Sequence, residues 1–262
     1  MQQRGSSSRA AATALALLSL SSACAADPRI AAAKAAATAS LPASVAAGFA
    51  ARLDKEPARF LELSGAVEKE AGSAPDLLRR VDKKEALPQS YSPGDLVSLD
   101  KTGISVSRAG HRLREPAFEA LKAMDKAARS DGITLIVGSA FRSYDYQVEV
   151  FARNAREAGS EAAAERISAR PGKSQHQLGM AIDFSPIDDA FATTAASRWL
   201  ERNAGRFGFS LSFPRGLEAV TGYSWESWHY RYIGKSALSL QKEFFGDVQQ
   251  YLVEFWEAYT AK

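Results

Sequence analysis

Three short β-rich runs, far apart and separated by stretches of helical spacing, constrain this chain most. The run at 133–137 (Ile-Thr-Leu-Ile-Val) is dominated by branched residues and reads as a buried strand. The run at 180–184 alternates, with Met180, Ile182 and Phe184 on one side and Ala181 and Asp183 on the other. The run at 228–233 sets Trp228, Tyr230 and Tyr232 opposite His229, Arg231 and Ile233. Between them, 116–130 places Phe118, Leu121, Met124 and Ala128 on one helical face and ends at Asp131-Gly132. The segments 144–158 and 190–207 also read as helices, and 237–259 reads as a helix broken at Gly246. Helices and strands mix without regular βαβ units and without an internal repeat. The expected fold is α+β: a small central antiparallel sheet flanked by helices.

Ahead of this region, residues 25–90 are rich in Ala, Lys, Glu and Leu. The segments 58–71 and 75–84 read as helices with polar faces, and Pro42, Pro57, Pro75 and Pro88 punctuate the stretch. Nothing there carries chemistry, and a helical stalk or cover is the expectation. The stretch 88–94 reads as a linker or entry loop.

The first 24 residues have the layout of a secretory signal peptide. Arg4 and Arg9 precede a short apolar run, and small residues follow. Cys24, the only cysteine, sits at the cleavage region. Two readings stand side by side. Ala23-Cys24-Ala25 fits an Ala-x-Ala cleavage site, whereas Ser21-Ser22-Ala23-Cys24 resembles a bacterial lipoprotein signal that would attach a lipid to Cys24. A lone cysteine at this place favours the second, although Ser21 stands where such signals carry a large aliphatic residue. On either reading the mature chain has no thiol for catalysis or for binding zinc. The net charge of +3 is mild and by itself argues neither for nor against a nucleic-acid partner; no basic tract stands out, and no such partner is expected.

Chemistry concentrates around two of the three histidines. His176 and Asp183 lie seven positions apart in Ser174-Gln-His-Gln-Leu-Gly-Met-Ala-Ile-Asp183. On one continuous helix they would be separated by about 10 Å along the axis, too far to share an ion. A turn at Gly179 instead puts His176 on a loop and Asp183 on the following strand. A carboxylate among apolar neighbours needs a cation or donors. His229 lies on the strand face opposite the aromatics, with Glu226 three positions before it. Two imidazoles and a carboxylate, with a second carboxylate beside them, match the needs of a catalytic zinc: three protein ligands and one open position. Glu226 can then serve as proton acceptor, and Arg142, in the loop after 133–137, as a donor to an oxyanion. Each residue also has a plainer reading. Asp183 alone could cap or form an ion pair, and Trp228 belongs in a core. His111, among Gly110, Arg112 and Arg114, is expected at the surface.

At these residues the sequence resembles the VanY-like D-alanyl-D-alanine carboxypeptidases and the related L,D-carboxypeptidases. The carriers are SAFRSYDYQ (139–147), SQHQLGMAIDF (174–184) and ESWHYRYIG (226–234), in family order and spacing. The likeness spans about residues 90–255. It implies that His176, Asp183 and His229 are zinc ligands, that Glu226 is the catalytic base, and that Arg142 steadies the substrate carbonyl or oxyanion. It further implies substrate contacts at Ser139, Gln147 and Ser174. The expected organisation is a signal peptide at 1–24, a helical extension and linker at 25–90, and a zinc carboxypeptidase domain at 91–262, with the zinc site between sheet and loops. The expected partner is the stem peptide of peptidoglycan, met outside the cytoplasm, either in the periplasm or at a membrane held through Cys24.

Six positions at four places depart from the family pattern. Ala140-Phe141 replace Gly-Tyr, Gln175 replaces Glu, Ser227 replaces Pro, and Ser212-Phe213 replace Arg-Tyr. None removes a ligand or the base. The lost hydroxyl at Phe141 and the lost cation at Ser212 are expected to alter recognition of the peptide carboxylate. D,D- and L,D-cleavage both remain open, with endopeptidase action behind them. The reading from another class is a non-catalytic peptidoglycan-binding lipoprotein that keeps the fold, and the presence of Glu226 weighs against it.

Overall fold

The computed structural model describes residues 27–261; the expected export segment and Cys24 lie outside the described residues. Asp27 opens the first helix by accepting from the backbone N–H of Arg29 at 2.9 Å, and Pro28 occupies a first-turn position that needs no N–H. Helices α1 (Pro28–Ser40), α2 (Ala43–Lys55) and α3 (Pro57–Ser73) follow, with Pro42 and Pro57 at the two breaks. The helix expected at 58–71 is therefore present within α3.

The helix expected at 75–84 is not formed. Asp76 takes a positive φ of 64°, and the chain runs on as an irregular strap. Its polar backbone is claimed by distant partners instead of by a helix. The Arg231 guanidinium, fully buried, donates to the carbonyls of Leu77 (3.0 Å) and Arg79 (2.8 Å). Arg114 donates to the carbonyl of Pro75, and the Asp82 carboxylate accepts from the N–H groups of Lys84 (2.7 Å) and Glu85 (2.9 Å). These bonds offset the loss of the helical ladder.

After the strap come β1 (Leu96–Ser98), β2 (Ser105–Val106), β3 (Arg112–Arg114), α4 (Glu115–Ser130), β4 (Ile136–Ser139), α5 (Tyr144–Glu157), α6 (Glu161–Ala164), β5 (Ala181–Phe184), α7 (Ala195–Asn203), β6 (Phe209–Leu211), α8 (Glu218–Thr221), β7 (His229–Tyr232), α9 (Lys235–Phe244) and α10 (Gln249–Thr260). β1 and β3 form a two-stranded antiparallel sheet. The main sheet has five strands in the order β2-β4-β5-β7-β6. It is antiparallel except for the β2–β4 edge, which is parallel. The two residues of β2 are too few to show alternation, so this edge had no signal in the sequence.

Two further expectations shift. The strand expected at 133–137 begins at Ile136, because the N–H of Ile133 is used to close α4 on the Ala128 carbonyl at 2.9 Å. The single helix expected at 190–207 is divided into a 3₁₀ turn (Asp189–Thr193), α7 and a second 3₁₀ turn (Ala204–Phe207). Thr194 causes the first break. Its backbone is extended and its hydroxyl caps α7 by accepting from the N–H of Ser197 at 3.0 Å. The break expected at Gly246 is present between α9 and α10, where Gly246 and Asp247 both take positive φ.

Two apolar cores result. The first lies under the sheet, where Met180, Ile182, Phe184 and Tyr230 meet Leu121 and Met124 of α4. The second joins α1–α3 to α9 and α10, so this N-terminal segment is not a free stalk. Phe49 is at its centre, with ring centroids of Phe60, Phe244, Phe245 and Phe255 within 5.0–6.0 Å. The Glu70 carboxylate of α3 also caps α9 by accepting from the N–H groups of Lys235 and Ser236. No described helix is long and apolar enough to cross a membrane.

Phe49→Ala should lower the unfolding free energy by about 3–5 kcal/mol, the usual cost of emptying a packed aromatic site. Urea titration checks it, and a loss below about 1 kcal/mol would mean that α1–α3 do not share a core with α9 and α10.

Candidate active site and metal centre

Local sequence places each polar group. Ser174 opens a 3₁₀ turn (Gln175–Leu178) by accepting from the N–H of His176 at 3.3 Å. Gly179, at φ 71°, ends that turn in the left-handed region and lets the chain enter β5. A Cβ there would stand 2.9 Å from Arg114, so both the conformation and the space call for glycine. Asp183 and His229 are register partners on β5 and β7, and Ser139 pairs with Asp183 from β4. The expectation of a loop histidine and a strand carboxylate matches this arrangement.

The three candidate ligands converge. Asp183 Oδ2 is 3.0 Å from His176 Nε2, and Asp183 Oδ1 is 2.8 Å from His229 Nδ1. One ligand atom from each residue lies within 4.8 Å of the others, and all three side chains are buried. Each imidazole is tied on its outer side. His176 Nδ1 is 2.6 Å from the Ala140 carbonyl, and His229 Nε2 is 3.2 Å from Gln175 Oε1. With an ion held between the rings, those outer nitrogens would carry the protons, because a carbonyl oxygen only accepts. In that state the inner nitrogens turn lone pairs toward the space beside Asp183.

That geometry is unfavourable without a cation. Burial, then the Arg142 guanidinium, holds His176 down to about 4, so its ring is neutral at pH 7. Burial acts to raise the Asp183 carboxyl, yet it is held well below its ordinary value and is an anion at pH 7. The result is an anion faced by two lone-pair donors. Arg142 is the nearby cation among the described residues, with its guanidinium 3.6 Å from Asp183 Oδ2. A charge-assisted hydrogen bond would be about 2.7–2.9 Å, so this contact compensates the carboxylate only in part. A divalent ion accepting from two nitrogens and one oxygen fits the donor set, and zinc is the usual occupant of such a set.

Glu226 stands beside this cluster, with Oε2 3.5 Å from His229 Nδ1. Burial, reinforced by Asp183, pushes its carboxyl well above the usual range, against the pull of Arg142 and Lys83. The cluster opens into a cleft of about 1060 Å³ whose walls include Ser139, Arg142, Ser174, Tyr223, Trp225 and Glu226. Gln147 is not on that wall. It is buried on α5, and its amide donates to the carbonyl of Ala169, a wall residue, at 2.8 Å.

Several positions differ from expectation. His111 is only 3% exposed, and its backbone carbonyl accepts from the N–H of Leu99 at 2.9 Å. Its flanking arginines gave the opposite impression. Ser212 lies behind the cluster rather than in the cleft, and its hydroxyl donates to Gln175 Oε1 at 2.8 Å. Phe141 lies under the Arg112 guanidinium, 5.2 Å from ring centroid to cation, and is not a wall residue. Neither position lines the cleft. Three participants went unread in the sequence. Gln175 supports His229, Phe213 packs its ring 4.8 Å from the His229 ring, and Tyr223 packs on Phe213 at 4.9 Å. The departures at Gln175 and Ser212-Phe213 were the available signal.

Comparison with known proteins agrees with this geometry. Residues 110–235 match the VanY family, described as D-alanyl-D-alanine carboxypeptidase. The Bacillus subtilis protein YodJ is 38% identical over 169 residues, covering 62% of this chain and 62% of that protein. A D-alanyl-D-alanine carboxypeptidase of Enterococcus faecalis is 33% identical over 165 residues, covering 60% of this chain and 58% of that protein. The chain thus spans less than two thirds of either relative. Among solved structures, the LdcB LD-carboxypeptidase, described for peptidoglycan recognition, is 36% identical with a TM-score of 0.59, covering 68% of this chain and 84% of its own. The vancomycin-resistance D,D-pentapeptidase VanY, solved with Zn(II), is 32% identical with a TM-score of 0.56, covering 67% of this chain and 97% of its own. With the fold, the ordered motifs and these relatives in agreement, the chain belongs to the VanY family of D-alanyl-D-alanine carboxypeptidases.

Proposed function

We propose that this chain is a zinc-dependent carboxypeptidase that removes terminal D-amino acids, D-alanine first among them, from the stem peptides of peptidoglycan. The observation that carries the reading is the buried Asp183 carboxylate faced by the inner nitrogens of His176 and His229, at the floor of a cleft that also presents Glu226. His176, Asp183 and His229 would hold the metal. Zinc supplies Lewis acidity, which acidifies water and polarises a scissile carbonyl.

The remaining work falls to the protein. Glu226 takes the proton of the attacking water and delivers it to the departing amine. Burial supports that role, because a raised carboxyl is matched to proton transfer near neutral pH. Arg142 is held at the cluster by its own N–H, which donates to the His176 carbonyl at 3.2 Å. Its guanidinium is a fixed donor for the oxygen that gains charge in the transition state. Ser139 and Ser174 on the cleft wall are the proposed substrate contacts, and Gln147 acts behind them by holding Ala169. The LD-carboxypeptidase and D,D-pentapeptidase relatives support a D-residue as leaving group, and both bond types are candidates. The substrate's location and the N-terminal 1–24 segment support export, with Cys24 as the candidate site of a lipid anchor. Residues 25–90 act as a supporting layer for the catalytic region at 91–262.

Glu226→Gln should keep stoichiometric zinc and lose at least about 100-fold in kcat, the lower range for removal of a general base. Full turnover in that variant would contradict the mechanism. Incubation of the chain with defined tetrapeptide and pentapeptide stems, read by mass spectrometry, should release a single terminal D-alanine from at least one. Binding of both without cleavage would favour a peptidoglycan-binding protein that keeps the fold.

A further inference from the structure

His229 is oriented by a relay of side-chain amides that leaves the family-matched segment. His229 Nε2–H donates to Gln175 Oε1 at 3.2 Å. The Gln175 amide donates to Gln249 Oε1 at 3.3 Å, and the Gln249 amide donates to the Ser210 carbonyl of β6 at 3.4 Å. Ser212 Oγ adds a hydrogen bond to Gln175 Oε1 at 2.8 Å and also lies 3.2 Å from Gln249 Oε1. Gln175, Ser212 and Gln249 are 7%, 3% and 2% exposed, so water does not compete for these groups. Gln249 is the first residue of α10 and lies beyond residues 110–235.

We propose that Gln249 is a positioning residue for the metal ligand His229, acting by fixing which way round the Gln175 amide sits. This rests on the reading of His229 as a ligand. A glutamine side chain presents oxygen on one side and NH₂ on the other, and only its surroundings choose between the two. Gln249 Oε1 accepts from the NH₂ of Gln175, and the single Ser212 hydroxyl proton goes to the nearer Gln175 Oε1 at 2.8 Å rather than to Gln249 Oε1 at 3.2 Å, so the oxygen of Gln175 faces His229. The backbone carbonyl of Ser210 requires the NH₂ of Gln249 and fixes that amide in turn. With Gln175 reversed, its NH₂ would face His229 Nε2, which would then have to accept. The ring proton would move to Nδ1, the nitrogen that faces Asp183, and no lone pair would remain there for a metal. A ring held by a committed acceptor has a single tautomer, and outer partners of this kind commonly govern metal affinity by about 10- to 100-fold. The relay also gives the second core a role at the site, since α10 packs against α1 there.

Gln249→Met, close in shape but without an acceptor, should weaken zinc binding by about 10- to 100-fold in competition with a chromophoric chelator. It should lower kcat at saturating zinc with little change in KM. In a Gln175→Glu background the acceptor facing His229 cannot be reversed, so adding Gln249→Met should change zinc affinity by less than about 2-fold. Equal weakening in both backgrounds would overturn the proposal, as would zinc affinity unchanged by Gln249→Met. A parent that binds no zinc through His229 would instead count against the metal-site reading itself.

Discussion

The site depends on one buried carboxylate that its own surroundings leave incompletely compensated. Asp183 sits between two imidazoles whose outer nitrogens are already committed, one to the Ala140 carbonyl and one to Gln175. Rings in those tautomers offer lone pairs, not protons, on the side that faces the anion. Removing a carboxylate from water costs several kcal/mol even after relaxation, and a single guanidinium at 3.6 Å recovers only part of that. A divalent cation resolves the mismatch, and it does so beside a second carboxylate whose buried setting suits it to move protons. The candidate metal centre and the proposed base are thus two consequences of the same buried pocket of charge.

The rest of the fold can be understood as what keeps that arrangement in place. The β5–β7 register sets Asp183 opposite His229, and Gly179 swings His176 back over them. Arg231, on β7 two residues after His229, has burial pushing it down to about 10, yet it remains charged at neutral pH and anchors the irregular strap that precedes β1. The N-terminal helices bury their apolar faces against α9 and α10, and Gln249 of α10 reaches back to the ligand network. Support for the metal site therefore extends through both cores.

Much of this was legible in the sequence, and the exceptions have a common cause. Alternation gave β5 and β7 to within a residue, because each strand has one face in a core. The order of His176, Asp183, Glu226 and His229 marked out residues that the fold does bring together. The segment 75–84 has helical composition, yet Arg231 and Arg114, far away in sequence, claim its carbonyls. Thr194 divided an otherwise periodic helix because capping α7 competed with continuing it. His111 has charged neighbours in sequence, yet the fold buries it. The Gln175–Ser212–Gln249 relay joins positions 37 and 74 residues apart, and no local pattern encodes such a contact. Local spacing reports which face is buried; it does not report which remote polar group completes a buried bond.

Zinc K-edge X-ray absorption on the zinc-loaded chain tests the central claim most directly. Two imidazole nitrogens and a carboxylate oxygen should surround the metal at about 2.0–2.2 Å, and His176→Ala should remove one imidazole and lower zinc content. A shell without histidine, or metal stoichiometry and spectrum unchanged in His176→Ala, would contradict the assignment of His176, Asp183 and His229 as the metal site.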